Sequence, residues 1–305
     1  MAEIPDWLQA RIDHYQTEAA TAHDQHDNPA HANALNRLGG LYGSVVVDVP
    51  KAIDCYEQAF LLARSSSDLT QEAESLIGLG NCYGFSRTDE NPVRDEPKAI
   101  GYFYDALRLV RQLKDHERES ITLAALGKLW MRQGNYSQAH LELAAALKLV
   151  RAAKDRQREA ACLIDIAGLF NLHFDHYPAL KYFQEALAIT RALDNQPDTI
   201  HILYQIATIY RKLGQYPLAI SSYESLITAY QSLGDSAQSM LLVHTGDLAD
   251  TYLEMADYDN AIACYERGIT LSHNLGDKGS SAFVNYARDQ IARAVVSRDN
   301  PTQSH

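Results

Sequence analysis

One pattern recurs six times along the 305 residues and leaves few folds open. An apolar–small pair stands first: Leu38-Gly39, Leu79-Gly80, Leu126-Gly127, Ile166-Ala167, Ile206-Ala207 and Leu248-Ala249. Three residues after the small one comes an aromatic: Tyr42, Tyr83, Trp130, Phe170, Tyr210 and Tyr252. An alanine follows (Ala52, Ala99, Ala139, Ala179, Ala219, Ala261), and four residues on a large side chain: Tyr56, Phe103, Leu143, Phe183, Tyr223 and Tyr265. Ala59, Ala106, Ala146 and Ala186 continue the small series three residues later, whereas Leu226 and Gly268 depart from it. Spacings of three and four put these positions on one face of a helix. A small residue opposite a large one lets two antiparallel helices approach closely. One such hairpin cannot bury its apolar face alone, so hairpins must stack.

The key alanines lie 47, 40, 40, 40 and 42 residues apart. Sixteen residues after each stands Asp68, Asp115, Asp155, Asn195, Asp235 or Asp277, residue types that cap the N-terminus of a helix. Twelve residues after the alanine, Arg64, Arg111, Arg151 and Arg191 recur, placing a cation at the negative end of each second helix. The whole pattern resembles the tetratricopeptide repeat in its longer variety of roughly forty residues. The resemblance implies an all-α fold, a right-handed α-α superhelix (solenoid) of six helical hairpins. The expected organisation is an N-terminal capping helix in residues 1–30, repeats over 31–68, 69–115, 116–155, 156–195, 196–235 and 236–278, and a capping helix with a tail over 279–305. In the first cap Leu8, Ile12, Tyr15 and Ala19 fall at helical spacing; in the last, Phe283, Tyr286, Ile291 and Val295 or Val296 do so.

Composition narrows the function classes. The formal net charge is −12 with no dense run of Lys or Arg, which disfavours a nucleic-acid backbone and an anionic membrane surface. No apolar run is long enough to cross a bilayer, and the first residues carry no basic-then-apolar leader. Cys55, Cys82, Cys162 and Cys264 are far apart, form no CxxC pair and read as small buried apolar residues in a reducing, cytoplasmic setting. Phosphate-cradling, nucleophile-elbow and HExxH motifs are all missing from the sequence, so no enzyme, cofactor or metal is expected. The histidines of "HFDH" (173–176) and of 23–31 read as turn residues rather than ligands.

Repeat 2 alone carries an insertion, "TDENPVRDEP" (88–97), in the turn between its two helices. Prolines suit a turn, where one helix stops and another starts. A solvated loop is the plain reading and a partner-contacting loop its rival; a calcium loop lacks the required alternation of acids and central glycine.

The resemblance further implies that first helices line a concave groove and contact ligands from the second, fifth, ninth, twelfth and thirteenth positions, counting the small residue as the eighth. Those positions supply Asn33 and Asn36, Glu74 and Asn81, Lys128 and Arg132, and Asn171. Repeat 5 is richest, with His201, Tyr204, Thr208, Arg211 and Lys212; repeat 6 turns acidic, with Asp250 and Glu254 and with Asp247 beside them. Asn36 and Gly40 stand where chaperone-binding relatives carry their Lys and Asn, which disfavours a chaperone-tail ligand. Lys128, Arg132, Arg211 and Lys212 form a basic strip suited to an acidic partner segment. The expected function is a non-enzymatic scaffold or adaptor binding a protein or peptide segment in the groove. A peptide-responsive regulator is the alternative, and an enzyme with an unrecognised site the third reading. Residues 1–30 are too short for the additional N-terminal domain such regulators carry.

Overall fold

The computed structural model describes residues 5–46, 48–85, 94–276 and 281–299. Every regular element among them is helical, and within each of the two units the helices pack on their neighbours in chain order. The chain divides into two units, Met1–Asp155 and Arg156–His305. The first holds α1 (Asp6–Asp24), α2 (Asn28–Leu41), α3 (Val49–Ser65), α4 (Leu69–Phe85), α5 (Glu96–Leu113), α6 (His116–Arg132) and α7 (Tyr136–Ala152). The second holds α8 (Arg156–Leu172), α9 (His176–Ala192), α10 (Gln196–Lys212), α11 (Tyr216–Ser232), α12 (Gln238–Glu254), α13 (Tyr258–Asn274) and α14 (Ser281–Asp299). The fold is all-α, built of consecutive helical hairpins.

A single hydrogen bond closes every hairpin. The carbonyl of the repeated aromatic accepts the N–H of the residue that precedes the second helix: Tyr42 from Asp48, Tyr83 from Asp95, Trp130 from Asn135, Phe170 from Asp175, Tyr210 from Gln215 and Tyr252 from Asp257, each at 2.9 Å. In repeats 3 to 6 the two residues are five apart, and the residue before the donor has positive φ: Gly134, Phe174, Gly214 and Ala256. Such a left-handed residue ends a helix by satisfying its last carbonyls. The donor then turns its side chain to the new helix. Asp48, Asp95, Asn135 and Asp257 accept from backbone N–H groups at the starts of α3, α5, α7 and α13.

The insertions fit inside this closure. In repeat 1 the added residue is absorbed by a π-helical turn at Tyr42–Val46. In repeat 2 the same bond joins Tyr83 and Asp95, twelve residues apart in sequence. Most of the 88–97 stretch lies outside the described residues; its end is described, with Asp95 capping α5 and Pro97 within the first turn. In repeat 6 the extra length forms a 3-10 turn at Gly234–Ala237, and α12 starts after Ala237 with no side-chain cap. Of the expected caps between repeats, Asp68, Asp115 and Asn195 accept from the first turns of α4, α6 and α10, whereas Asp277 lies outside the described residues.

Packing follows the small-against-large rule. A Cβ added at Gly127 would lie 2.5 Å from Leu143 Cγ, and one at Gly80 would lie 2.7 Å from the Phe103 ring. Leu143 and Phe103 have no exposed surface. Burying one such side chain contributes roughly 1.5–3 kcal/mol. The departure at Gly268 has the same cause: the Phe283 ring of α14 fills the space beside Gly246 and Gly268, where an added Cβ would come within 2.9 and 2.6 Å. Phe283 is half-buried and Ala287 and Ala294 fully so, but Tyr286 and Val296 are exposed. Residues Leu8, Ile12 and Ala19 of α1 are buried, as their spacing predicts.

Candidate partner-binding site

In the second unit α10 and α12 carry polar stripes joined by ion pairs. On α10 the buried stripe is Ile202, Leu203, Ile206, Ala207 and Ile209. His201, Tyr204, Thr208 and Arg211 follow the helical period on the other side, with Lys212 exposed beside them. On α12, Leu241, Leu242, Leu248 and Ala249 are buried, and Asp247, Asp250 and Glu254 share the opposing stripe.

Ion pairing joins the two helices. Arg211 donates from Nε and Nη2 to Glu254 Oε1 at 3.0 and 2.6 Å, with Asp250 Oδ2 at 3.8 Å. The Glu254 carboxylate holds the guanidinium well above its ordinary pKa, outweighing partial burial. Asp250 Oδ1 accepts from two phenols, Tyr265 of α13 and, at 2.8 Å, Tyr286 of α14. Burial, and then the Asp250 charge, push the Tyr265 hydroxyl far above the usual tyrosine range. Asp247 Oδ2 lies 3.0 Å from Nδ1 of the buried His244, whose ring is packed between Tyr204 and Tyr230 with centroids 5.1 and 5.2 Å away.

Tyr223 of α11 occupies the same repeat position as Tyr265. It is fully buried, and its hydroxyl has no hydrogen-bond partner. Burial, and then the Asp247 charge, raise its pKa, opposed by the neighbouring Arg211 guanidinium. The contrast with Tyr265 is one residue deep. Where repeat 6 has Asp250 to accept the phenol, repeat 5 has Thr208, whose own hydroxyl donates to the Gln205 carbonyl at 2.9 Å.

The structure distributes the residues that sequence reasoning placed at such a surface unevenly. His201, Tyr204, Thr208, Arg211 and Lys212 come together on α10. Asn171 of α8 is half-buried, its amide 3.4 Å from Gln205 and its carbonyl oxygen buried without a partner. In the first unit Asn81 is exposed on α4 and Lys128 half-buried on α6. Asn36 is not a surface residue. It is 5% exposed, and its amide is consumed by Gln71 and Ser75 of α4, so it ties two first helices together. Arg132 donates to the Gly84 carbonyl at 2.7 Å and to Glu96 at 2.5 Å. Both arginines of the expected basic strip are therefore neutralised within their own units.

Elsewhere in the first unit, an open cleft of about 750 Å³ is lined by Tyr83, Arg94, Glu96, Lys98 and Gln133, with Lys98 Nζ 3.9 Å from the Tyr83 ring centroid. Glu96 there is paired with Arg94 as well as Arg132. Among the described residues no group of three or more His, Cys, Asp or Glu side chains is placed to hold a metal ion, and no helix is long and apolar enough to cross a membrane.

The family model of the tetratricopeptide repeat matches residues 159–232 and 198–272, so it covers the helices that build this surface. The first unit repeats the same small, aromatic and large positions with the same hairpin closure. Residues 159–272 are tetratricopeptide repeats. Solved structures agree on the fold. The apo form of RapI is 13% identical, with a TM-score of 0.61 over 94% of each chain. A Rap protein complexed with Competence and Sporulation Factor is 16% identical, with a TM-score of 0.56 over 97% of this chain and 88% of that one. Aspartyl phosphate phosphatase F from Bacillus subtilis is 16% identical, with a TM-score of 0.59 over 84% and 74%. No curated protein sequence matches. The residues of this surface that sequence reasoning passed over are Tyr223, Tyr265, Tyr286 and His244. The available signal was tyrosine rather than phenylalanine or leucine at the large position of repeats 1, 5 and 6, since a buried phenol needs a partner.

Proposed function

We propose that this protein is a non-enzymatic scaffold or adaptor that holds a segment of a partner protein against the exposed stripes of its first helices, with α10 and α12 as the principal contact. The observation that carries the reading is the α10 stripe itself: His201, Tyr204 and Lys212 are exposed at ligand-contact positions of the repeat. Tyrosine is among the residue types that dominate contact energetics in protein interfaces. The acidic composition and the dispersed, largely buried cysteines support a cytoplasmic setting without nucleic-acid or membrane partners.

A second reading, a peptide-responsive regulator, draws support from the structural likeness to a Rap protein complexed with Competence and Sporulation Factor. One neighbour is a phosphatase by name; at 16% identity the likeness carries fold and not chemistry.

The test is photo-cross-linking in native lysate. Benzoylphenylalanine replaces Tyr204 in one variant and Ser221, exposed on the second helix α11, in the other. Adducts of a defined partner from position 204 and none from 221 are expected. Adducts from 221 alone would place binding on the second helices and overturn the reading.

A further inference from the structure

A separate polar cluster lies in the first unit, on the capping helix α1 and on α2. Tyr15 of α1 is half-buried, and its ring packs against the core around Leu8, Ile12, Leu38 and Leu41, which fixes where its hydroxyl stands. Arg11 precedes it by one helical turn on the same stripe of α1. The guanidinium carbon of Arg37, on α2, lies 5.7 Å from the Tyr15 ring centroid. Both arginines are exposed, so the cluster is open to solvent. Hydrogen bonding from Arg11, and then from Arg37, holds the Tyr15 phenol below the ordinary tyrosine range and outweighs burial. Two guanidinium groups from two helices therefore converge on one hydroxyl.

This cluster has no counter-charge. Among the described residues neither Arg11 nor Arg37 forms an ion pair, whereas Arg64, Arg111 and Arg118 of the same unit are held by Glu72, by Glu119, and by Glu74 with Asp115. The acids closest in sequence on α1 are engaged elsewhere: Asp13 accepts from Gln9 at 2.7 Å, and Glu18 lies 3.3 Å from His14. Like charges repel, and in a chain with 39 acids to 27 bases a carboxylate would be the ordinary neighbour of such a pair. Donor capacity is left over as well. Each guanidinium presents a fork of N–H donors, more than one phenol oxygen can occupy, and the Tyr15 hydroxyl keeps its own proton to donate.

Charge decides the class of anion that fits. A carboxylate would neutralise one of the two guanidinium groups. A phosphoryl group carries about −1.5 to −2 near pH 7, enough for both, and its oxygens match the planar donor forks of arginine.

We propose that Arg11, Tyr15 and Arg37 bind a phosphoryl group, with the two guanidinium groups on its oxygens and the phenol donating a further hydrogen bond. The site depends neither on the α10–α12 surface nor on the partner held there. A phosphorylated side chain and free phosphate share this chemistry, and the choice of probe separates them.

The experiment is an amide chemical-shift titration of the full chain at constant ionic strength, which keeps screening equal between probes. The probes are N-acetyl-phosphoserine amide, inorganic phosphate and N-acetyl-glutamate amide. The phosphoserine probe is expected to give saturable shifts at the amides around Arg11, Tyr15 and Arg37, with glutamate about tenfold weaker or more. Inorganic phosphate that binds as tightly as phosphoserine assigns free phosphate, and weaker binding assigns a phosphorylated side chain; either result supports the phosphoryl site. An Arg11→Gln/Arg37→Gln variant is expected to weaken phosphoserine binding by about tenfold or more, and Arg108→Gln, exposed on α5, to leave it unchanged. Glutamate binding as tightly as phosphoserine, undiminished binding in the double variant, or no shifts from any probe would each overturn the proposal. Because the probes are compared on the unaltered protein, the result stands even where a variant folds poorly.

Discussion

Tyr223 and Tyr265 offer an internal comparison in which one chemical change should have two opposite effects. Each is fully buried at the same position of adjacent repeats, and replacing either by phenylalanine removes one oxygen and leaves the ring. The Tyr265 hydroxyl donates to the charged Asp250, and hydrogen bonds to charged groups contribute about 1.5–3 kcal/mol. Tyr286 still serves Asp250 at 2.8 Å in the variant, which puts the expected loss at the lower end, about 1.5–2 kcal/mol. The Tyr223 hydroxyl gains no bond on folding and is desolvated, so its removal should stabilise by about 1 kcal/mol. Urea unfolding followed by far-ultraviolet circular dichroism measures both. At roughly 2–4 °C per kcal/mol for a chain of this size class, Tyr265→Phe should lower the melting midpoint by about 3–8 °C and Tyr223→Phe should raise it by about 2–4 °C. Equal destabilisation by the two substitutions would refute the reasoning, because it would mean that the Tyr223 hydroxyl is already bonded in the free protein.

Other consequences follow from the same structure. Gly127→Ala overpacks against Leu143 and should destabilise by about 1 kcal/mol net, whereas Gly101→Ala in α5, with nothing within 4 Å, should stabilise by up to about 1 kcal/mol; denaturation midpoints decide. Asp115→Ala removes the cap of α6 and should cost about 1 kcal/mol in the same assay. Burial pushes the Asp115 carboxyl up, but the backbone N–H and guanidinium of Arg118 outweigh it and hold it below the ordinary range; the Lys51 ammonium does the same for Asp48. Folded-state pKa values below those of the unfolded chain stabilise above about pH 4, and this stability is lost as pH falls through the folded values. A melting curve series should therefore decline below pH 4, less steeply in Asp115→Asn. Burial raises the Cys55 and Cys82 thiols to about 11, so maleimide labelling at pH 8 should be slow in the native protein and complete on unfolding.

The fold was legible because the repeat writes its packing in residue size. Gly80 against Phe103 and Gly127 against Leu143 are readable as small and large residues, and the offsets within each helix, three from small to aromatic and four from alanine to large, survive in all six copies. The hairpin caps were legible too, four residues before each key alanine at Asp48, Asp95, Asn135 and Asp257, although only the caps between repeats stood out. Where extra residues go was not legible. Spacing counts the added residue in repeat 1 but cannot say that it enters as a π-helical turn. The site was half legible. Position in the repeat puts His201, Tyr204, Thr208 and Arg211 on one stripe of α10, yet a one-dimensional count of charge treats Arg211 as available when Glu254, 43 residues away, neutralises it. Asn36 fails for a similar reason: its polarity suggests a surface, but its partners lie 35 and 39 residues on.

Hydrogen exchange with the cross-linked partner's segment bound tests the central claim most directly. The account predicts added protection over α10 and α12, at 199–212 and 241–254, with α11 and α13 unchanged. Protection confined to the second helices α11 and α13 would contradict it.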